Sequence, residues 1–261
     1  MTICTLSSSS SGNCTIVSNG STHLLVDAGI SLRRIREGLK TFDLTPDDLT
    51  GVLVTHEHSD HISGIEMLVK YHKIPIFSSC GTAIGICNTL PNAAPFINGF
   101  EIGASFKLGT IEVLSFATPH DACESVGFRM KTNRVTFAYA TDLGHITPEV
   151  TSAMSGADIA FIESNHDPEM LIKGPYPQQL KKRIVSKYGH LSNNDCGSFA
   201  VLLAQSGTKK LQLSHLSREN NTPVLAAKTV KAALLESGVK IDVDISVDVA
   251  LPFAPSRTYE I

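Results

Sequence analysis

Two β-sheets packed face to face, with helices on their outer sides, is the α/β (α+β) arrangement that the sequence predicts. Three observations predict it. Short β-branched runs fill most of the first half, whereas strands alternate with helical stretches in the final third. No Pro- or Gly-rich linker and no internal repeat divides the 261 residues, so one domain over 1–261 is expected. Several apolar runs end in His or Asp, the format of strands that deliver polar groups to one edge.

Residues 2–6, 14–18 and 22–27 read as strands, separated by SSSSSGN and SNGS, with Gly12-Asn13 and Asn19-Gly20 as turn signals. Residues 31–41 look helical, with Ser31 as N-cap. GVLVT (51–55) is a strand, and Ile62, Ile65, Leu68 and Val69 give helical spacing over 62–71. Further strands are expected at 74–78, 104–107, 110–117, 125–131 and 134–140. Strands at 157–163 and 210–214 then alternate with helices at 177–188, 193–205 and 223–236.

Composition narrows the function classes. Apolar residues make up 42% and charged residues 18%, enough for a sizeable core. No apolar run approaches the roughly 18 residues of a membrane span. The opening MTICTLSSSSSGNC lacks a basic, apolar leader, so a cytoplasmic protein is expected. The six cysteines form no CxxC pair and are expected as buried reduced thiols. A net charge of −3 argues against a large non-specific nucleic-acid footprint, while a local basic patch stays compatible with it.

The chemistry concentrates in THEHSDH (55–61). His56, His58, Asp60 and His61 crowd one turn directly after an apolar strand. Polar groups at the end of a buried strand cost free energy unless they find partners, and a metal ion or a pair of them would partner all four. A capping role for Ser59 or Asp60 would explain one residue and leave three histidines without a reason. A His-x-His pair can point two imidazoles at one ion, and Asp60 with His61 can serve a second. Imidazole and carboxylate donors without Cys suit zinc, manganese or iron. His120 follows the strand 110–117, Asp142 follows 134–140 and His215 follows 210–214.

The motif HxHxDH at 56–61, with His120, Asp142 and His215 in that order, resembles the metallo-β-lactamase superfamily over essentially the whole chain. The resemblance implies an αββα sandwich of two mixed sheets flanked by helices and two divalent metal ions. It implies that His56, His58 and His120 hold one ion, that Asp60, His61 and His215 hold the other, and that Asp142 bridges them. SSSSGNC, IESNHD (162–167) and the run YGHLSNND to LSHLSRENNTP resemble the YycJ (WalJ) branch. That likeness implies a nuclease, a DNA 5′-to-3′ exonuclease among the activities described for the branch. The stretch from Asp142 to His215 is too short for the β-CASP insertion of other nucleic-acid-processing relatives.

Phosphodiester hydrolysis would follow, with metals acidifying a shared water for in-line attack and offsetting charge on the phosphoryl oxygens. Asp60 would be ligand and proton acceptor. Similarity to the tRNA-processing relatives makes His190, oriented by Glu163, the general acid; Leu191 departs from the Gly-His-Ser of those relatives, and His166 is a second candidate. For substrate contacts the candidates are Ser8 and Asn13 in the Ser7–Asn13 loop, which could equally close a plain hairpin turn, and Lys182 and Arg218. Lys181, Lys182, Arg183 and Lys187 could equally form a solvated face. Arg33, Arg34 and Arg36 read as surface, and His23, His72 and His145 as ordinary. A hydrolase of small esters, thioesters or lactones would use the same metals. A metal-holding scaffold without turnover is the third reading. With no Trp and few aromatics, the sequence offers no evident stacking platform for single strands.

Overall fold

The computed structural model describes residues 1–261. The strands of its first half are β1 (Thr2–Ser7), β2 (Cys14–Asn19), β3 (Thr22–Val26), β4 (Gly51–Leu53), β5 (Ile76–Ser79) and β6 (Ile97–Phe100). The remainder are β7 (Ser105–Leu108), β8 (Ile111–Ala117), β9 (Val126–Lys131), β10 (Thr136–Ala140), β11 (Ile159–Glu163), β12 (Lys210–Ser214), β13 (Ser246–Val249) and β14 (Tyr259–Glu260). They make two seven-stranded sheets, ordered β14-β1-β2-β3-β4-β5-β6 and β13-β12-β11-β10-β9-β8-β7. Each sheet is antiparallel at one side and parallel at the other. β3 to β6 run parallel in the first sheet, and β10 to β13 in the second.

Period-2 alternation separates the faces. Ile3, Val17, Leu24 and Val26 point between the sheets, into a cluster with Phe128, Phe137, Tyr139 and Phe161. Cys4, Leu6, Ile16 and Leu25 point the other way, into the helices α1 (Leu32–Lys40), α2 (Ser59–Ile62), α3 (Ile65–His72) and α4 (Cys80–Thr89). Of the later helices, α5 (Pro148–Met154), α6 (Pro168–Lys173), α7 (Gln178–Ile184), α8 (Asn193–Gln205) and α9 (Pro223–Glu236), it is α5, α8 and α9 that cover the outer face of the second sheet. The result is the αββα layering that the sequence predicts.

Differences from the sequence reading have physical causes. Helices α4, α5 and α6 lack a strong apolar period and are anchored by their starts. Ser79, Thr147 and Asp167 each accept an amide N–H of the first turn, with proline at the start of α5 and α6. The expected 62–71 helix breaks into α2 and α3 at Ser63-Gly64, where the Gly64 N–H donates to Ala28 O at 2.7 Å. The expected 177–188 helix stops at Ile184, and the chain turns back so that the His190 N–H reaches Ile184 O at 2.9 Å. Strands β6, β13 and β14 are short edge strands of two to four residues, too brief to mark themselves in the sequence. The cysteine expectation holds for Cys4, Cys14 and Cys196, but Cys80 and Cys123 are exposed and Cys87 half-buried.

Both sets of parallel strands point their C-terminal ends to one edge, where loops pack tightly. A Cβ on Gly29 would fall 1.6 Å from the Asp60 carbonyl oxygen. Gly29→Ala is therefore expected to destabilise the chain by about 3 kcal/mol through overpacking, read as a lowered midpoint of urea unfolding. An unchanged midpoint would show that the 27–30 segment yields freely.

Candidate metal centre

The site forms at that shared edge. β4 leads into Thr55 and His56; α2 opens with His58 as N-cap and carries Asp60 and His61. The β8–β9 loop brings His120, β10 leads to Asp142, β11 ends at Glu163 and β12 leads to His215. His56, His61, His120, Asp142 and His215 are all buried, and His58 and Asp60 are the half-open members.

Two donor sets converge. His58 Nδ1 lies 3.0 Å from His56 Nε2 and 3.2 Å from His120 Nε2. Ring nitrogens sharing one tetrahedral ion at about 2.0–2.1 Å would sit about 3.3–3.4 Å apart, so this spacing fits a common cation. In the second set, His61 Nε2 is 3.4 Å from Asp60 Oδ2, and His215 Nε2 is 3.6 Å from the same oxygen. Asp142 stands between: Oδ1 is 3.7 Å from His120 Nε2, and Oδ2 is 3.4 Å from His61 Nε2. His56, His58 and His120 form one potential ligand group, and Asp60, His61 and His215 another. The donors fit two divalent cations.

Supporting hydrogen bonds aim the rings. His120 Nδ1–H donates to Gly189 O at 3.1 Å, which turns the Nε2 lone pair inward. Asp27 Oδ2 accepts His61 Nδ1–H at 2.8 Å, and the same carboxylate accepts the Thr55 N–H and hydroxyl. Such partners fix tautomer and ring orientation. Asp27 went unnoticed in the sequence, although it ends the apolar run THLLV in the same format as the other strand-end candidates. His215 turns Nδ1 to Asp142 Oδ2 at 2.8 Å, and its backbone N–H donates to Ser8 Oγ at 2.7 Å.

Electrostatics divides the two halves. Burial, reinforced by the neighbouring His61 charge, holds His56 well below the usual histidine value. Burial likewise lowers His120, with Asp142 opposing it. These rings are neutral and offer lone pairs. His61 behaves oppositely: burial would lower it, but Asp27, Asp60 and Asp142 raise it well above the usual value. Burial also works against a proton on His215, yet Asp142 raises it to about 9. Burial would raise Asp142, but His215 and His61 hold it well below the carboxylate range. The carboxylate-rich half thus calls for positive charge, which a divalent cation would supply.

His190 and Glu163 meet beside this array. Glu163 Oε1 accepts His190 Nδ1–H at 2.8 Å, while Oε2 accepts the N–H groups of Leu143 and Leu191 at 2.8 and 2.9 Å. His190 Nδ1 is 3.7 Å from Asp142 Oδ1. Burial would lower His190, but Glu163 and Asp142 raise it above the ordinary histidine value. His166 is buried and its Nδ1 has no hydrogen-bond partner; no hydrogen bond joins its ring to the array.

The substrate candidates land unevenly. Asn13 is fully buried, with Nδ2 3.3 Å from Asp60 Oδ2 and 3.2 Å from His61 Nε2. That position makes Asn13 a support for the Asp60 loop and leaves it no face for substrate. Ser8 is buried against the His215 amide. Lys182 is exposed on α7 without a tie to the array. Its neighbour Arg183 is instead drawn in, with Nε and Nη2 donating to Asp121 at 2.5 and 2.9 Å beside His120. Arg218 stays exposed three residues after His215.

Comparisons agree with this layout. A family model described as a beta-lactamase superfamily domain matches residues 22–216. The chain is 34% identical over 255 residues to a Bacillus anthracis protein named exodeoxyribonuclease YycJ, covering 97% of this chain and 96% of that one. It is 35% identical over 247 residues to a Streptococcus pneumoniae protein named exodeoxyribonuclease WalJ, covering 93% and 91%. Among solved structures, the metallo-β-lactamase fold protein YhfI from Bacillus subtilis superposes with a TM-score of 0.74 at 17% identity over 99% of each chain. Unliganded yeast PDE1 gives 0.73 at 13% identity over 98% of each. These two likenesses speak to the fold.

Asp27→Asn keeps the shape of the side chain but removes the charge that holds His61. It is expected to weaken metal affinity about 10- to 100-fold, measured by competition with a chromogenic chelator. Affinity equal to the parent protein would remove Asp27 from the support of the centre.

Proposed function

The chain belongs to the metallo-β-lactamase superfamily, and from that membership and its converging donor sets we propose that it is a metal-dependent phosphodiesterase of nucleic acid, acting as an exodeoxyribonuclease. The observation that carries the reading is the pairing of an all-imidazole donor set and an imidazole–carboxylate donor set with a separate histidine–glutamate couple at the same edge. The kinship with proteins named exodeoxyribonucleases over nearly the full chain supports DNA as the substrate.

His56, His58 and His120 would hold one divalent ion, Asp60, His61 and His215 a second, and Asp142 would face both. Zinc, manganese or iron bound there would supply positive charge for the phosphoryl oxygens and would acidify an attacking water. Every other role falls to the chain. Asp60 is the least enclosed carboxylate of the array, so it is the group to accept a proton from the attacking water and hold its orientation. Asn13 keeps the Asp60 carboxylate in place. His190 spends Nδ1 on Glu163, which leaves Nε2 to protonate the departing oxygen. Against the effect of burial, Glu163 and Asp142 raise the His190 pKa above the ordinary histidine value, which favours that proton. Glu163 cannot swing away, because two backbone N–H groups hold its other oxygen.

The test uses end-labelled single- and double-stranded DNA and RNA with metal-stripped protein, adding back Mn²⁺ or Zn²⁺. Metal-dependent cleavage is expected, and it should vanish in His58→Ala. His190→Ala should keep its metal content and lose about 10²- to 10⁴-fold in kcat. Undiminished kcat in His190→Ala would remove it as the proton donor. Absence of cleavage with either metal, in protein carrying bound ions, would overturn the phosphodiesterase reading in favour of a small ester or thioester substrate. Salt separates the two classes as well, because only binding of a polyanion weakens steeply with ionic strength.

A further inference from the structure

The segment bonded to the Ser7–Asn13 loop carries an exposed aromatic ring. Phe253 follows β13 and is 54% exposed. Two guanidiniums lie over it: Arg218 Cζ is 4.9 Å from the ring centroid and Arg34 Cζ is 5.8 Å away. Neither belongs to an ion pair; the arginines that pair with carboxylates are Arg33, Arg183 and Arg257. Arg34 is no idle surface residue, since its Nη2 donates to Ser7 Oγ at 3.2 Å.

Short links join this cluster to the metal centre. The Ser8 N–H donates to Leu251 O at 3.1 Å, and Ser7 Oγ lies 2.7 Å from Pro252 O. Ser8 Oγ in turn accepts the His215 N–H at 2.7 Å. Arg218 sits three residues beyond His215 on the same loop. Through Ser7 and Ser8, the segment carrying Phe253 is thus tied to the loop that holds His215.

Two like charges over one exposed ring, without a carboxylate between them, leave a place for an anion. The anion that also brings a flat π-face is a nucleotide. Its base would stack on the part of the phenyl ring that the guanidiniums leave exposed, and its phosphate would meet the guanidiniums. A paired duplex hides its base faces, whereas an unpaired strand exposes them. We propose that Phe253, Arg34 and Arg218 form a stacking platform for the single-stranded end of a nucleic acid, whose backbone continues past the Ser7–Asn13 loop to the metal centre. The proposal rests on the phosphodiesterase reading and specifies its substrate form.

Binding can be measured apart from turnover. The probe is a fluorescein-labelled dT oligonucleotide with hydrolysis-resistant phosphorothioate links, titrated with the zinc-loaded full chain and read by anisotropy. Phe253→Ala and Arg218→Ala should each weaken binding about tenfold, and Phe253→Trp should bind as the parent does. A blunt duplex of equal length should bind more weakly and show no response to Phe253→Ala. No binding of dT, equal binding by both alanine variants, or an equal loss on the duplex would overturn the platform. Cleavage of an ordinary oligonucleotide is scored separately. Binding without cleavage sinks the catalytic reading and leaves the platform standing; cleavage with unaltered binding in the variants does the reverse.

Discussion

Buried carboxylates at the edge where the two sheets meet are the constraint around which the site is arranged. Asp27, Asp142 and Glu163 lie at or just beyond the ends of parallel strands and are almost entirely enclosed. Removing ionised groups from water costs several kcal/mol each unless charge and hydrogen bonds offset it. Asp27 is met by Thr55 and His61, Asp142 by His215, and Glu163 by two backbone N–H groups and His190. The same contacts that make burial tolerable also aim the histidines. Structural need and ligand orientation are one set of bonds here, so weakening a support loosens the centre as well as the fold.

The backbone shows the same tension. Asp27, Asp142 and His215 adopt positive φ values of 60°, 59° and 55°. For side chains other than glycine this left-handed conformation costs on the order of 1 kcal/mol or more per residue. Asp and His tolerate it better than branched residues do. The turn is needed because each strand must stop and swing its last side chain into the shared space. Ladder-like bonds resume immediately: the Asp27 N–H donates to Leu53 O, and Ser8 Oγ receives the His215 N–H. Close packing of Gly29 against Asp60 then fixes how far the two loops stand apart.

The strand-dominated layers were legible because strands buried on both faces leave short, nearly continuous apolar runs in the sequence. THLLV and TFAYA are such runs, and the crowding in THEHSDH cannot be mistaken for a turn. The capped helices α5 and α6 were legible in principle through TPEV and DPEM, where a capping residue precedes proline, but not through apolar period. The supports were harder. Asp27 ends a strand as the other candidates do, yet one more aspartate after an apolar run carries no mark of its partner 34 positions away. Asn13 reads as a turn residue because its hold on Asp60 arises only when β1 and β2 are folded against α2. Sequence spacing reports local geometry, and these contacts are tertiary.

That distinction also bears on the weighing of nucleic acid as a partner. A net charge of −3, no Trp and few aromatics count against it as sums over the chain. Binding responds to arrangement, because screening confines each exposed charge to a neighbourhood of about 8–10 Å. Arg34 comes from α1, Arg218 from the loop after β12 and Phe253 from the segment after β13, and no linear pattern could have joined them. Meanwhile the conspicuous basic run at 181–187 spends Arg183 on Asp121 and leaves Lys182 apart from the array. The buried strand ends fix what chemistry the edge can perform. Which molecule reaches that edge is decided at the rim, by a few exposed groups whose meeting depends on the whole fold.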